Sequence, residues 1–236
     1  MGFGLFGKLQ SKRDFIAIST PRAFLSAWEP WVQGGISASR AALVDKWQQA
    51  FLTAPIWRFW LGPDLCGTTA TGAIMPSMDG VGRYFPLTVV ALAGEGEAPP
   101  PPEIDPQDEW FATIEDFLFS TLDAGRTFEA VTAALAALPP PPPGAREIPA
   151  GVESLAPRAG VIARGEGGYS GLFSQARQAD HTGACAAMTF WWTAGGEGYP
   201  PVALACPRMP DPWLFTGMLT GDFANIAIPS RPGTEA

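Results

Sequence analysis

Residues 70–93 hold two apolar, β-prone runs on either side of the densest turn signal in the chain, and any fold must accommodate them as a hairpin. Ile74 and Met75 close the first run, and Pro76-Ser77-Met78-Asp79-Gly80-Val81-Gly82 forms the connection. Residues 84–92 supply the aromatic and β-branched side chains of the second run. Asp79-Gly80 can take the positive φ that tight connections need, and Gly82 adds a second permissive point just before Arg83. The spacing therefore predicts a fixed tip. Upstream, residues 54–61 place Trp57, Phe59 and Leu61 on one face at period two, so this run is expected to pair with the hairpin.

Around this anchor the chain alternates between strand and helix patterns. Residues 3–9 and 15–19 read as short strands of the same sheet. Thr20-Pro21 predicts a helix start, with Phe24, Leu25, Trp28 and Val32 on one face. Pro30 is expected to kink that helix and Gly34-Gly35 to end it, before a second helix over 39–53. A composition shift near 94–106 predicts a proline-rich surface linker, and Asp105-Pro106 a helix to about Asp123. Thr127 starts another helix, which Pro139 to Pro143 stops; residues 144–157 read as irregular, extending a second surface linker over 139–157. Residues 160–163 and 187–192 read as strands, 202–206 as a short strand or extended connection, and Asp211-Pro212 opens a last helix. Together these elements imply a single α/β domain over 1–225, with a mixed sheet of five or six strands and helices on both faces, followed by a tail at 226–236.

The totals exclude several function classes. Nine tryptophans, each able to bury about 150–250 Å², point to a large core. A formal charge of −8 with only three lysines argues against a nucleic-acid partner. No apolar run approaches the roughly 18–20 residues of a spanning helix, and the start carries Lys8, Lys12 and Arg13, so the chain is expected to be cytoplasmic without membrane insertion. Cys66, Cys185 and Cys206 are odd in number and widely spaced, and they read as buried apolar side chains in a reducing compartment.

Candidate chemistry is sparse. Gly2 to Lys8 has the spacing of a phosphate-binding loop, but Leu9 stands where a metal-binding hydroxyl is required and no strand precedes Gly2. Asp79-Gly80 with Gly221-Asp222 superficially resembles the carboxylates of a two-metal phosphatase, yet such a site needs several more. Ser77, Asp79 and the single His181 could form a nucleophilic triad only by composition, since no GxSxG elbow surrounds Ser77. No catalytic residue, metal site, cofactor or small-molecule substrate is therefore expected. What remains is the tip itself: Pro76, Ser77, Asp79, Gly80, Gly82 and Arg83. An Asp79–Arg83 ion pair bracing the turn and an exposed recognition element are compatible readings of these residues.

Residues 54–59, APIWRF, and 76–87, PSMDGVGRYFPL, resemble the TagF (ImpM) family, accessory regulators encoded with bacterial type VI secretion systems. The resemblance extends to Gly4-Leu-Phe-Gly-Lys-Leu9, to Asp14-Phe15, to Phe24, Trp28 and Trp31, and to Phe190-Trp-Trp-Thr193. It implies a post-translational regulator, usually a repressor, of secretion-system assembly or firing, whose partner is the system's forkhead-associated scaffold protein. The competing expectations are a metal-dependent phosphoesterase and a fixed structural component of the apparatus.

Overall fold

The computed structural model describes residues 2–94, 98–123, 125–143, 150–156, 160–165 and 168–226. Its centre is a seven-stranded sheet in which β1 (Gly2–Gly7), β2 (Ile16–Ile18), β3 (Trp57–Leu61), β4 (Ala70–Met75), β5 (Leu87–Leu92), β8 (Thr189–Thr193) and β9 (Val202–Cys206) run in the order β2-β1-β5-β4-β3-β8-β9. The α/β fold with helices on both faces is the one the sequence implies, with two differences in the sheet. It has seven strands, not five or six, and every pairing is antiparallel, so it contains no parallel component. A separate ribbon joins β6 (Val152–Ala156) to β7 (Gly160–Ala163), so 152–156 is strand where an irregular segment was expected. Residues 144–149 of that segment lie outside the described residues, as does the tail from 227 onward.

Alternation along the strands builds two cores. On one face Trp57, Phe59, Ile74, Val90 and Trp191 meet α1 (Arg22–Leu43), α2 (Trp47–Thr53) and α8 (Leu214–Thr220). The other face sets Leu5, Ala73, Met75, Leu87 and Val89 against α4 (Asp108–Ser120) and α5 (Phe128–Ala136). The neighbours Trp191 and Trp192 point to opposite faces, as period two requires: Trp191 lies 4.5 Å from Trp31, ring centre to ring centre, and Trp192 lies 4.8 Å from Phe111. Two of the buried indoles find acceptors here, Trp28 at Thr88 (3.1 Å) and Trp57 at the Met218 carbonyl (2.9 Å), whereas Trp31 Nε1 and Trp192 Nε1 have none among the described residues. The cysteines are all free and buried.

The helix expected to end at Gly34-Gly35 runs 22 residues, through both glycines and through Pro30. Pro30 and Ser26, whose carbonyl the missing N–H leaves free, are both on the exposed side, so the carbonyl is open to solvent. The glycines serve close approach: a Cβ on Gly35 would stand 2.7 Å from the Phe215 ring, and one on Gly34 3.2 Å from Pro212. A 3₁₀ turn at Val44–Lys46 separates α1 from α2. Helix α5 begins as expected, with the Thr127 hydroxyl accepting from Ala130 N–H at 3.2 Å. Helix α1 begins at Arg22 with no side-chain cap from Thr20, and α4 begins two residues beyond Pro106, behind Gln107 at φ +52°.

The proline runs pack more closely than a surface linker implies. Pro99, Pro100 and Pro101 are buried, and Trp60 Nε1 donates to the Pro99 carbonyl at 3.0 Å. Likewise Trp110 Nε1 donates to Pro139 O at 2.9 Å, and Gln107 Nε2 to Pro142 O at 2.9 Å. A proline segment has no N–H to satisfy, so its carbonyls are open to such donors. Three short helices complete the described chain: α3 (Pro63–Cys66), α6 (Gly168–Ala179) and α7 (His181–Ala184).

Candidate functional site

The β4–β5 hairpin continues past its ladder, through a Met78↔Tyr84 bridge, into a tip that rests on the β1–β2 connection. Asp79 is the centre of this contact. Its side chain is 0% exposed, and its Oδ2 accepts from Lys8 Nζ and from Arg83 Nε at 2.7 Å. Oδ1 accepts from the Arg83 and Val81 backbone N–H groups at 2.9 and 3.1 Å. Burial works to raise the Asp79 pKa, but Lys8, then the Arg83 backbone and guanidinium and the Val81 N–H, hold it well below the ordinary carboxylate range.

Further bonds fix the tip to its neighbour. Ser77 Oγ donates to the Lys8 carbonyl at 2.8 Å, Gly80 N–H to the Lys12 carbonyl at 2.9 Å, and the Arg83 guanidinium to the Arg13 carbonyl. Phe15 closes the far side, with its ring 4.7 Å from that of Phe85. Of the two glycines, Gly82 has the expected positive φ (+85°), whereas Gly80 is not in the left-handed region. Gly80 matters for space instead, since a Cβ there would stand 2.8 Å from the Gln10 carbonyl oxygen. The candidate residues thus divide. Ser77 and Asp79 are buried, Pro76 is half-buried, and Gly80, Gly82 and Arg83 are exposed beside Val81.

The chemical alternatives do not assemble around these residues. Residues 2–7 form a strand with no helix after it, and Lys8 is committed to Asp79, so no phosphate cradle forms. Asp79 offers its oxygens to cations and N–H groups already in place, and Asp222 binds the backbone N–H groups of Ala224 and Asn225 in its own turn. Ser77 is bonded to Lys8, while His181 on α7 has its Nδ1 3.4 Å from the Gln178 carbonyl. Among the described residues no group of three His, Cys, Asp or Glu converges as metal ligands.

One charged cluster escaped the sequence reading. Arg58, the second residue of β3, is buried beneath α4, where its Nε and Nη2 donate to the two Glu115 oxygens (2.7 and 3.2 Å) and Nη1 donates to Asp108 at 2.7 Å. Its guanidinium carbon also lies 5.3 Å from the Phe111 ring centre. Burial opposes its charge, but the carboxylates outweigh that and raise its pKa. A lone arginine inside an apolar strand, with two carboxylates two helical turns apart on a later helix, was the available signal.

This architecture and site define a three-layer α/β/α protein with a charge-braced hairpin tip on its surface. A family model described as the TagF N-terminal domain, type VI secretion system-associated, matches residues 4–138, and the chain belongs to that family. The crystal structure of PA0076 from Pseudomonas aeruginosa PAO1 is similar over the whole fold, with a TM-score of 0.74 at 32% identity, covering 99% of this chain and 100% of that one. No match is found among curated proteins. No described helix is long and apolar enough to cross a membrane.

Proposed function

We propose that the chain acts in the cytoplasm as a non-catalytic repressor of type VI secretion, binding and sequestering the forkhead-associated scaffold protein of the system. Membership of a type VI secretion-associated family is the observation that carries this reading. The tip is the proposed contact surface. Val81, whose side chain is exposed together with that of Arg83, sits on a connection already held in place through Asp79 and Ser77. A preorganised loop loses little conformational entropy on binding, which favours this surface over a mobile one.

The test is a pull-down of the tagged protein from lysate of its own host, comparing wild type with Val81→Arg. Arg83→Glu is the poorer probe, because it sets a second carboxylate against buried Asp79. The expected result is recovery of the scaffold with wild type and its loss with a Val81→Arg variant of unchanged Tm. Deletion of the gene is expected to raise secretion. Recovery with both proteins would move the contact off the tip, and recovery with neither would remove the sequestration mechanism. Reduced secretion on deletion would make the protein a component of the apparatus instead.

A further inference from the structure

Beside Pro76, at the base of the tip, lies a cleft of about 300 Å³. Three separate segments wall it: Leu52 near the end of α2, Phe119 at the end of α4 with Leu122 in the turn that follows, and the β8–β9 connection carrying Glu197 and Tyr199. Ile56 and Met75 form part of its floor. The volume is at the lower end of the range of ligand clefts. Phe119 is 57% exposed and Leu122 42%, although each directly follows a buried residue, Leu118 and Thr121. The β8–β9 wall is held by hydrogen bonds. The connection is closed by reciprocal Gly196–Tyr199 backbone bonds of 2.9 and 3.1 Å, and the Tyr199 hydroxyl donates toward the Gly217 and Met218 carbonyls, at 3.1 Å each.

Charge distinguishes this cleft from an ordinary apolar dimple. Among the described residues its only charged lining residues are Glu115 and Glu197, with no lysine or arginine. Glu115 shares Arg58 with Asp108, so the three together carry one net negative charge, and Glu197 is exposed at the rim. The whole chain carries −8. We propose that this cleft binds a short segment of a protein partner in which apolar anchors stand next to lysine or arginine. The anchors fill the space between Phe119, Leu122 and Leu52, and the basic group meets Glu197. The inference rests on the reading of this protein as a binding regulator and adds a second, chemically defined contact surface next to the tip.

The test uses purified full-length protein and three labelled synthetic peptides of equal length, built from leucine and lysine, leucine and glutamate, or serine and lysine. Fluorescence anisotropy is expected to show binding of the leucine–lysine peptide, at least about tenfold weaker with Phe119→Ser/Leu122→Ser and with Glu197→Lys. The other two peptides are expected to bind no better than those variants. Equal binding by wild type and the double variant, or equal binding of the leucine–glutamate peptide, would overturn the proposal. So would a wild-type dimer in sedimentation that the double variant abolishes, because the occupant would then be a second copy. Unchanged circular dichroism of the variants guards against loss of fold. The scaffold pull-down is scored separately, so its failure removes the sequestration reading without altering the peptide result.

Discussion

At the scale of single residues, two buried charges make the sharpest predictions. Asp79 has a folded-state pKa depressed below its ordinary 3.8, so the unfolded chain takes up the proton first as pH falls. Its stabilising contribution is complete above about pH 5 and is lost as pH drops through 3.8 toward the folded value. Thermal melts from pH 7 to pH 3 should therefore show an acid limb that is shallower in Asp79→Asn, with a Tm at pH 7 several degrees below wild type. An unchanged limb would mean that Lys8 and Arg83 do not favour the ionised form. Arg58 should be costlier to truncate. Arg58→Ala leaves Glu115 half-covered without its partner and opens space above Phe111, and about 2–4 kcal/mol of stability is expected to be lost in urea unfolding. A double-mutant cycle with Glu115→Gln should return a coupling of about 1–3 kcal/mol.

At the scale of elements, α1 meets α8 and the turn before it through two glycines with different tolerances. Gly35→Ala gains roughly 1 kcal/mol in helix propensity, but its methyl group would stand 2.7 Å from Phe215, an overpacking that costs about 1–3 kcal/mol. A net loss and a fall in Tm of a few degrees are expected. Gly34→Ala meets Pro212 at 3.2 Å, and the two effects should nearly cancel. If Gly35→Ala raised the Tm, the close helix approach would not be real. The same pair shows why sequence reasoning failed here. Two adjacent glycines are a sound stop signal for an isolated helix, yet packing against Phe215, about 180 residues later, more than offsets their weak propensity. The β4–β5 hairpin and the β3 partner were legible because their signals, alternation and turn residues, are local. The double role of the tip was legible only in part. The Asp79–Arg83 brace is four residues apart, but Lys8 and the close approach at Gly80 come from the β1–β2 connection, with Lys8 71 residues from Asp79 in the chain.

At the scale of the whole molecule, the segment matched by the family model does not contain a closed structure. Strand β8 pairs with β3, and Trp191 stacks among Trp28, Trp31 and Phe59, while α8 covers the same core, yet β8 and α8 lie after residue 138. A fragment ending at residue 138 would expose the β3 edge and that aromatic cluster, and it is expected to aggregate or to lack the near-ultraviolet circular dichroism of the full chain. A soluble fragment with native-like near-ultraviolet signal would show that the two parts fold separately. By itself the sequence determined the alternation of elements, the apolar faces, the hairpin and the family, because each is written in local periodicity, turn chemistry or a contiguous motif. Only the tertiary structure decided the antiparallel strand order, the continuous α1, the docking of the proline runs by indole donors, the burial of Arg58 and the acidic cleft beside Pro76. The physical reason is common to all five: each depends on groups far apart in the chain, and long-range packing overrides what any single stretch prefers.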